Sequence, residues 1–231
     1  KAKGIEGLVV IGGDGSFHGA DFLYKEHGIK AIGIPGTIDN DIAGSDYTIG
    51  YDTTLNIILD AMGKLRDTAT SHERTYLLEV MGRHAGDIAL YSCLAGGGDG
   101  LLIPEKGYSI DELANQINQR RAQGKLHDII VVAEGVGSAF DIAKDLKDKV
   151  KSEMRVTVLG HIQRGGTPSA LDRIIATKMG AYAVDLLLEG TSGVMVGIES
   201  NKLVTYPISH AWEAKKVINE KDYELALILG K

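Results

Sequence analysis

Two short segments carry residue types that together suit chemistry on phosphate groups. Gly12-Gly13-Asp14-Gly15-Ser16 follows the apolar run Leu8-Val9-Val10-Ile11, and Pro35-Gly36-Thr37-Ile38-Asp39-Asn40-Asp41 follows Ala31-Ile32-Gly33-Ile34. Continuous apolar runs of this length read as buried parallel strands. Two strands of one parallel sheet end at the same edge, so their loops meet where open α/β sheets bind ligands. Glycines let backbone amides approach phosphate oxygens, and a helix starting near Ser16 aims its N-terminus at them. Asp14, Asp39 and Asp41 add carboxylates for a magnesium ion and for taking up a proton. Alternation along an extended loop would put Asp39 and Asp41 on one side and Asn40 on the other. The combination suits phosphoryl transfer.

Arginine and histidine recur at other strand ends. Arg74, Arg83, Arg155 and Arg164 flank predicted strands, with His72, His84 and His161 nearby, and Glu134 closes a further apolar run. Guanidinium forks match phosphate oxygens two at a time. Each arginine alone reads better as a solvated surface charge, and Asp14 alone reads as a helix N-cap. Their gathering at strand ends points to a site for an anionic ligand. Zinc-type His/Cys spacing, a Gly-x-Ser-x-Gly elbow and a Walker phosphate loop are all absent from the sequence.

The elements that must hold these residues alternate. Helices are expected at about 53–69, from the Met81-Gly82-Arg83-His84 segment through Leu94, at 110–123 behind a Ser109 cap with Glu112, at 139–150 and at 170–188. Strands are expected at 75–80, 101–103, 129–133, 155–159 and 194–199, followed by two terminal helical segments. Such alternation implies an α/β fold. The 231 residues suffice for one large or two small domains, and 44% hydrophobic with 24% charged content is that of a globular chain. A net charge of −6 argues against nucleic acid or an anionic membrane as partner. The single cysteine, Cys93, cannot form an internal disulfide, which fits a reducing cytoplasm. Neither a membrane-spanning run nor a signal peptide is visible. The chain opens without an initiator methionine and enters a strand almost at once, so processing or an absent N-terminal part is expected.

Gly-Gly-Asp-Gly-Ser, Pro-Gly-Thr-Ile-Asp-Asn-Asp, Ser71-His72-Glu73-Arg74, Met81-Gly82-Arg83, Ala133-Glu134-Gly135 and Leu159-Gly160-His161-Ile162-Gln163-Arg164-Gly165-Gly166 occur in that order. In this the chain resembles the bacterial ATP-dependent 6-phosphofructokinases, over nearly its whole length but without the first portion, roughly ninety residues, that family members carry. The resemblance implies two Rossmann-like three-layer α/β/α domains. Residues 1–50 with 163–217 would form the ATP-binding domain, and 51–162 with 218–231 the sugar-phosphate and effector domain. It implies that Gly13, Asp14, Gly15 and Ser16 line the ATP phosphates, with Asp14 and Asp41 at Mg2+. Asp39 would take the proton from the 1-hydroxyl of fructose 6-phosphate, Thr37 would orient the phosphoryl group, and Arg83 would offset its charge. Ile38, Met81, Gly82, Glu134, His161, Ile162, Gln163 and Arg164 would hold the sugar phosphate, joined by Arg74 and Arg155 from a neighbouring subunit of a homotetramer. Arg66, Gly97, Gly98, Asp99, Gln123, Lys125, Leu126 and His127 would form an effector pocket. Weak regulation by ADP or phosphoenolpyruvate is expected there, because Asp99 stands in place of glutamate and Gln123 and Leu126-His127 in place of lysines.

A pyrophosphate-dependent relative would share most of these motifs but typically carries an acidic residue at the place of Gly15 and a lysine at that of Gly36. Lipid and NAD kinases share Gly-Gly-Asp-Gly without the Asp39 and His161 motifs. A non-catalytic sugar-phosphate-binding subunit would not need Asp14 and Asp39. Without the N-terminal portion, binding of ATP is expected to be poor.

Overall fold

In the computed structural model, which describes residues 4–230, strand β2 (Lys30–Pro35) is buried from its second residue to its last. The domain ranges expected from sequence also take in residues 1–3 and 231, which lie outside the described residues. Strand β1 (Gly7–Gly12) pairs with β2 in parallel, with Gly12 opposite Pro35. Strand β7 (Val194–Glu199) lies parallel on the other side of β2, and β8 (Lys202–Pro207) runs antiparallel beyond it, giving the order β1-β2-β7-β8.

Side chains alternate along β2 and so feed two cores. Ala31 packs with Phe17 and Ala20 of α1 (Asp14–His27) and Ala211 of α7 (His210–Glu213). Ile32 and Ile34 pack with Ile175, Met179 and Ala183 of α6 (Ala170–Leu188). Gly33 is where the Phe17 ring presses on the strand: a Cβ there would sit 2.8 Å from it. Strand β1 departs from the expected two-sided burial, because it forms the sheet's edge among the described residues and leaves Ile11 64% exposed.

The second sheet is wholly parallel, in the order β4-β5-β3-β6. Its strands are β3 (Thr75–Val80), β4 (Gly100–Leu102), β5 (Asp128–Ala133) and β6 (Met154–Val158). Leu77, Ile130 and Val132 share a core with Leu113 and Ile117 of α4 (Ile110–Ala122) and Ile142 and Leu146 of α5 (Ala139–Leu146). Helices α3 (Asp87–Gly96) and α8 (Glu220–Leu229) pack on each other and on β5 and β4. The long helix α2 (Tyr51–His72) precedes β3. The chain forms two compact units. One runs to Thr53 and resumes over Thr167–Val217; the other comprises Thr54–Gly166 and the segment from Ile218. Among the described residues no helix is long and apolar enough to cross a membrane.

Three local expectations are corrected. Helix α1 starts at Asp14 with Gly13 as its N-cap, so Asp14 occupies the first turn rather than the cap. Helix α5 ends at Leu146, and residues 147–149 that follow form a turn instead of continuing the helix to Val150. Between β7 and the terminal helices stands strand β8, which the sequence reading missed. Ser200 and Asn201 both have positive φ, 50° and 64°, making a two-residue hairpin turn. Without a glycine the turn has a weak signature, and the Ser200 amide is held instead by Asp46 Oδ2 at 2.7 Å.

Candidate functional site

Because β1 and β2 are neighbours, Gly13–Ser16 and Thr37–Asp41 leave the sheet side by side. The Gly36 amide donates to the Gly12 carbonyl at 3.0 Å, and a Cβ on Gly13 would lie 3.8 Å from Thr37 Cβ. Gly12 has no room for a side chain, since its Cβ would fall 2.3 Å from Ser16 Oγ. Gly15 is the opposite case, with nothing within 4 Å of its Cβ position. Helix α1 begins here, so its first-turn amides and positive dipole end border that open space.

The Thr37–Asp41 segment is a turn, not an extended strand, which overturns the expected sorting of Asp39 and Asp41 from Asn40. Asn40 has φ of 53°, and both Asp39 and Asn40 are buried, at 5% and 2% exposure. Asparagine tolerates the left-handed backbone, and its side chain is clamped here: Oδ1 accepts from the Thr48 amide at 3.0 Å and Nδ2 donates to the Asp46 carbonyl at 3.2 Å. The Asp39 amide donates to Thr37 Oγ1 at 3.2 Å. Asp14, Thr37, Ile38 and Asp41 are half-buried, and Ser16 is exposed.

A second cluster forms in the other unit at the C-terminal ends of β5, β3 and β6, three adjacent strands. The Glu134 carboxylate accepts from the amides of Gly82 at 3.2 Å and Arg83 at 2.7 Å. Buried Gln163 accepts from the Met81 amide at 3.1 Å and donates to the Gly160 carbonyl at 3.0 Å. Met81, Gly82, Glu134 and Gln163 are thereby locked together, while the side chains of Arg83, His161, Ile162 and Arg164 are exposed. Backbone approach is close: Gly82 has φ of 139°, and a Cβ on Gly135 would lie 2.3 Å from the Arg83 carbonyl oxygen.

Arg74 and Arg155 do not join that cluster. They sit at the start of β3 and β6, at the opposite edge of the same sheet, where Glu153 takes both guanidinium groups: Arg74 Nε is 2.6 Å from one carboxylate oxygen and Arg155 binds the other. The four arginines therefore fall into two pairs. The Arg74 pair is also what holds Glu153 below the usual carboxylate range, through the hydrogen bond from Arg74 first.

The expected effector residues are close to one another but spend their charge internally. Arg66 donates to the carbonyls of Gly96 and Gly97, the latter at 2.8 Å. Lys125 pairs with Asp99 at 2.5 Å, and the other Asp99 oxygen accepts from the Ile129 amide at 2.7 Å. Gly97, in left-handed conformation, caps α3, and Gly98 is buried. Gln123 and Leu126 are exposed and His127 half-buried on the loop after α4. Cys93 lies beneath, its thiol pushed up to about 12 by burial and then by Asp99, which removes it as a nucleophile.

Sequence reading missed the residues that brace the first cluster: Thr48, Thr53 and Asp172. Asp172 accepts from the Gly50 amide at 2.8 Å across 122 positions of sequence. No local pattern announces such a partner.

The chain is similar to known proteins in sequence and in fold. The family model described as Phosphofructokinase matches residues 1–187. A curated ATP-dependent 6-phosphofructokinase of Fusobacterium nucleatum is 63% identical over 232 residues, covering the whole chain and 72% of that protein. The Bacillus subtilis protein of the same name is 57% identical over 226 residues, covering 98% of this chain and 70% of its own length. Among solved structures, phosphofructokinase from Saccharomyces cerevisiae superposes with a TM-score of 0.83 at 33% identity, over 97% of this chain and 33% of that one. A pyrophosphate-dependent phosphofructokinase from Nitrosospira multiformis gives 0.84 at 25% identity, over 98% and 68%.

Proposed function

The chain belongs to the phosphofructokinase family, and on that premise we propose that it transfers the γ-phosphoryl group of magnesium ATP to the 1-hydroxyl of fructose 6-phosphate, giving fructose 1,6-bisphosphate and ADP. The observation that carries this reading is the buried Asp39 in the turn after β2, beside the glycine turn that opens α1. A neutral hydroxyl attacking a phosphoryl group must lose its proton, and a carboxylate positioned at that hydroxyl takes it. Gly13, Asp14, Gly15 and Ser16 take the nucleotide phosphates, and the open space at Gly15 leaves room for an inner phosphate of a nucleotide. Thr37 and Arg83 orient and neutralise the moving group. Ile38, Met81, Gly82, Glu134, His161, Ile162, Gln163 and Arg164 hold the sugar phosphate.

The described residues contain no group of three or more side chains that could bind a metal by themselves. That fits a magnesium ion arriving with its nucleotide, since such an ion keeps waters and uses only one or two carboxylates besides phosphate oxygens. Asp14 and Asp41 would hold it, and when bound it would offset charge on the phosphates. Arg74 and Arg155 reach the sugar phosphate of a neighbouring subunit in a homotetramer.

Asp39→Ala tests the assignment. Turnover should fall by about 10²–10⁴-fold, the usual contribution of a positioned base, while fructose 6-phosphate binding measured by calorimetry stays within a few-fold. Turnover within tenfold of the parent would remove Asp39 from the role of base.

A further inference from the structure

The loop from Gly36 to Gly50 carries Thr37, Asp39 and Asp41 yet belongs to no helix or strand. A buried loop must find partners for its backbone groups elsewhere, and here they come from a few buried polar side chains. The Thr48 hydroxyl donates to the Thr37 carbonyl at 2.6 Å, and its amide donates to Asn40 Oδ1 at 3.0 Å. The Ile49 amide donates to the Pro35 carbonyl at 2.9 Å, closing the loop onto the end of β2. The Gly50 amide then meets Asp172 Oδ1 at 2.8 Å, and the Thr53 amide meets Oδ2 at 2.8 Å, with the Thr53 hydroxyl on the same oxygen. The Asp172 amide in turn donates to Ser169 Oγ, and the Ser169 amide to Thr53 Oγ1 at 3.0 Å. Thr48 is 0% exposed and Asn40 and Asp172 are each 2% exposed, so water does not compete for these bonds.

We propose that Thr48 and Asn40, anchored through Gly50 by Asp172 of α6, are positioning residues for the reaction: they fix the turn that presents the Asp39 carboxylate and touch neither substrate. The inference rests on the reading of Asp39 as the base. Thr48 reaches the turn on both sides of Asp39, at the Thr37 carbonyl and the Asn40 side chain. Asn40 itself holds a left-handed backbone, which asparagine enters more readily than most residues but still at a cost that its surroundings offset. Loosening the clamp lets the turn, and the carboxylate it carries, drift from the reacting hydroxyl. Displacements of about 1 Å at a reacting centre cost on the order of 10²-fold in rate.

The test compares Asn40→Gly, Thr48→Val and Thr48→Ser in the intact enzyme, with Asp39→Ala alongside. Asn40→Gly keeps the left-handed backbone free of strain and deletes only the clamp; Thr48→Val keeps the side-chain shape and deletes the hydroxyl. Both should lower kcat by about tenfold or more while KM for ATP and for fructose 6-phosphate stays within about threefold. Thr48→Ser, which keeps the hydroxyl, should recover kcat to within about threefold of the parent. Unchanged kcat in both deletions would overturn the proposal, as would failure of serine to rescue. A kcat loss that merely tracks the folded fraction seen by circular dichroism would overturn it too. If Asp39→Ala loses turnover and the clamp variants do not, only the clamp falls; if Asp39→Ala keeps turnover, the base assignment falls and takes the clamp with it.

Discussion

Arg74 and Arg155 bind the same Glu153 carboxylate at one edge of their sheet, whereas Arg83 and Arg164 leave the other. A strand such as β3, six residues long, spans roughly 20 Å at about 3.3 Å per residue. The two pairs cannot grip one small phosphate ester in a single chain. Cooperation between them requires a second copy, and Glu153 must then yield its arginines to the incoming phosphate. Mixing the inactive chains Arg155→Ala and His161→Ala under conditions that exchange subunits should restore part of the activity. No recovery despite hybrids proven by mass spectrometry would contradict a shared site. At this scale the sequence is legible where function is local. Asp39 beside Thr37, and Gly13 to Ser16, follow directly from a strand and the turn behind it. For Asn40 spacing shows only a residue facing away from its neighbours, because its clamp depends on a backbone twist that spacing does not show. Asp172 was not legible at all, since its partners lie more than a hundred positions away.

Elements are held together by side chains as well as by their cores. Arg120 of α4 reaches the first residue of β5, with Nε 2.6 Å from Asp128 Oδ1, and both side chains are nearly inaccessible to solvent. Burial pushes the Asp128 carboxyl above the usual range, with Arg120 pulling against it. Arg120→Met leaves a buried carboxylate without its cation and should cost about 3–5 kcal/mol in urea unfolding at pH 7. The sign with pH follows from the raised folded-state pKa. An acid that binds its proton more readily when folded contributes stability at low pH and loses it as pH rises through that value. The variant's deficit should therefore shrink as pH falls below 7 and the carboxyl takes up its proton; a deficit independent of pH would show that the charge is not its source. Most elements were readable from periodicity, including α4 with its Ser109 cap, whose hydroxyl accepts from the Glu112 amide. The β7–β8 hairpin was not, because Ser200-Asn201 takes positive φ with help from Asp46 rather than from a glycine. Nor was the exposure of β1, since an apolar run does not say which strand ends a sheet.

Across the whole molecule the same device is used twice: parallel strands side by side, each ending in a glycine- or carboxylate-bearing turn. One unit carries it on β1 and β2, the other on β5, β3 and β6. Each chain segment of the first unit supplies what the other needs, since α6 braces through Asp172 the loop that follows β2. The fold class was legible because strand and helix alternate from end to end. The pairing order of the strands was not, because parallel neighbours are separated by whole helices. The two units also differ in chemistry. Turns rich in glycine and aspartate suit a nucleotide with its metal, and a turn bearing arginine and histidine suits a sugar phosphate. A pyrophosphate-dependent phosphofructokinase shares the fold, so the phosphoryl donor is what a measurement must distinguish. The direct measurement is formation of fructose 1,6-bisphosphate by the intact enzyme with fructose 6-phosphate and magnesium, supplied with ATP or with pyrophosphate. Turnover with ATP should exceed that with pyrophosphate by about 10²-fold or more, the discrimination expected when a site is built around one ligand's groups, and ADP should appear one for one with the bisphosphate. Equal or faster turnover with pyrophosphate, or ADP release that does not depend on fructose 6-phosphate, would contradict the proposed reaction.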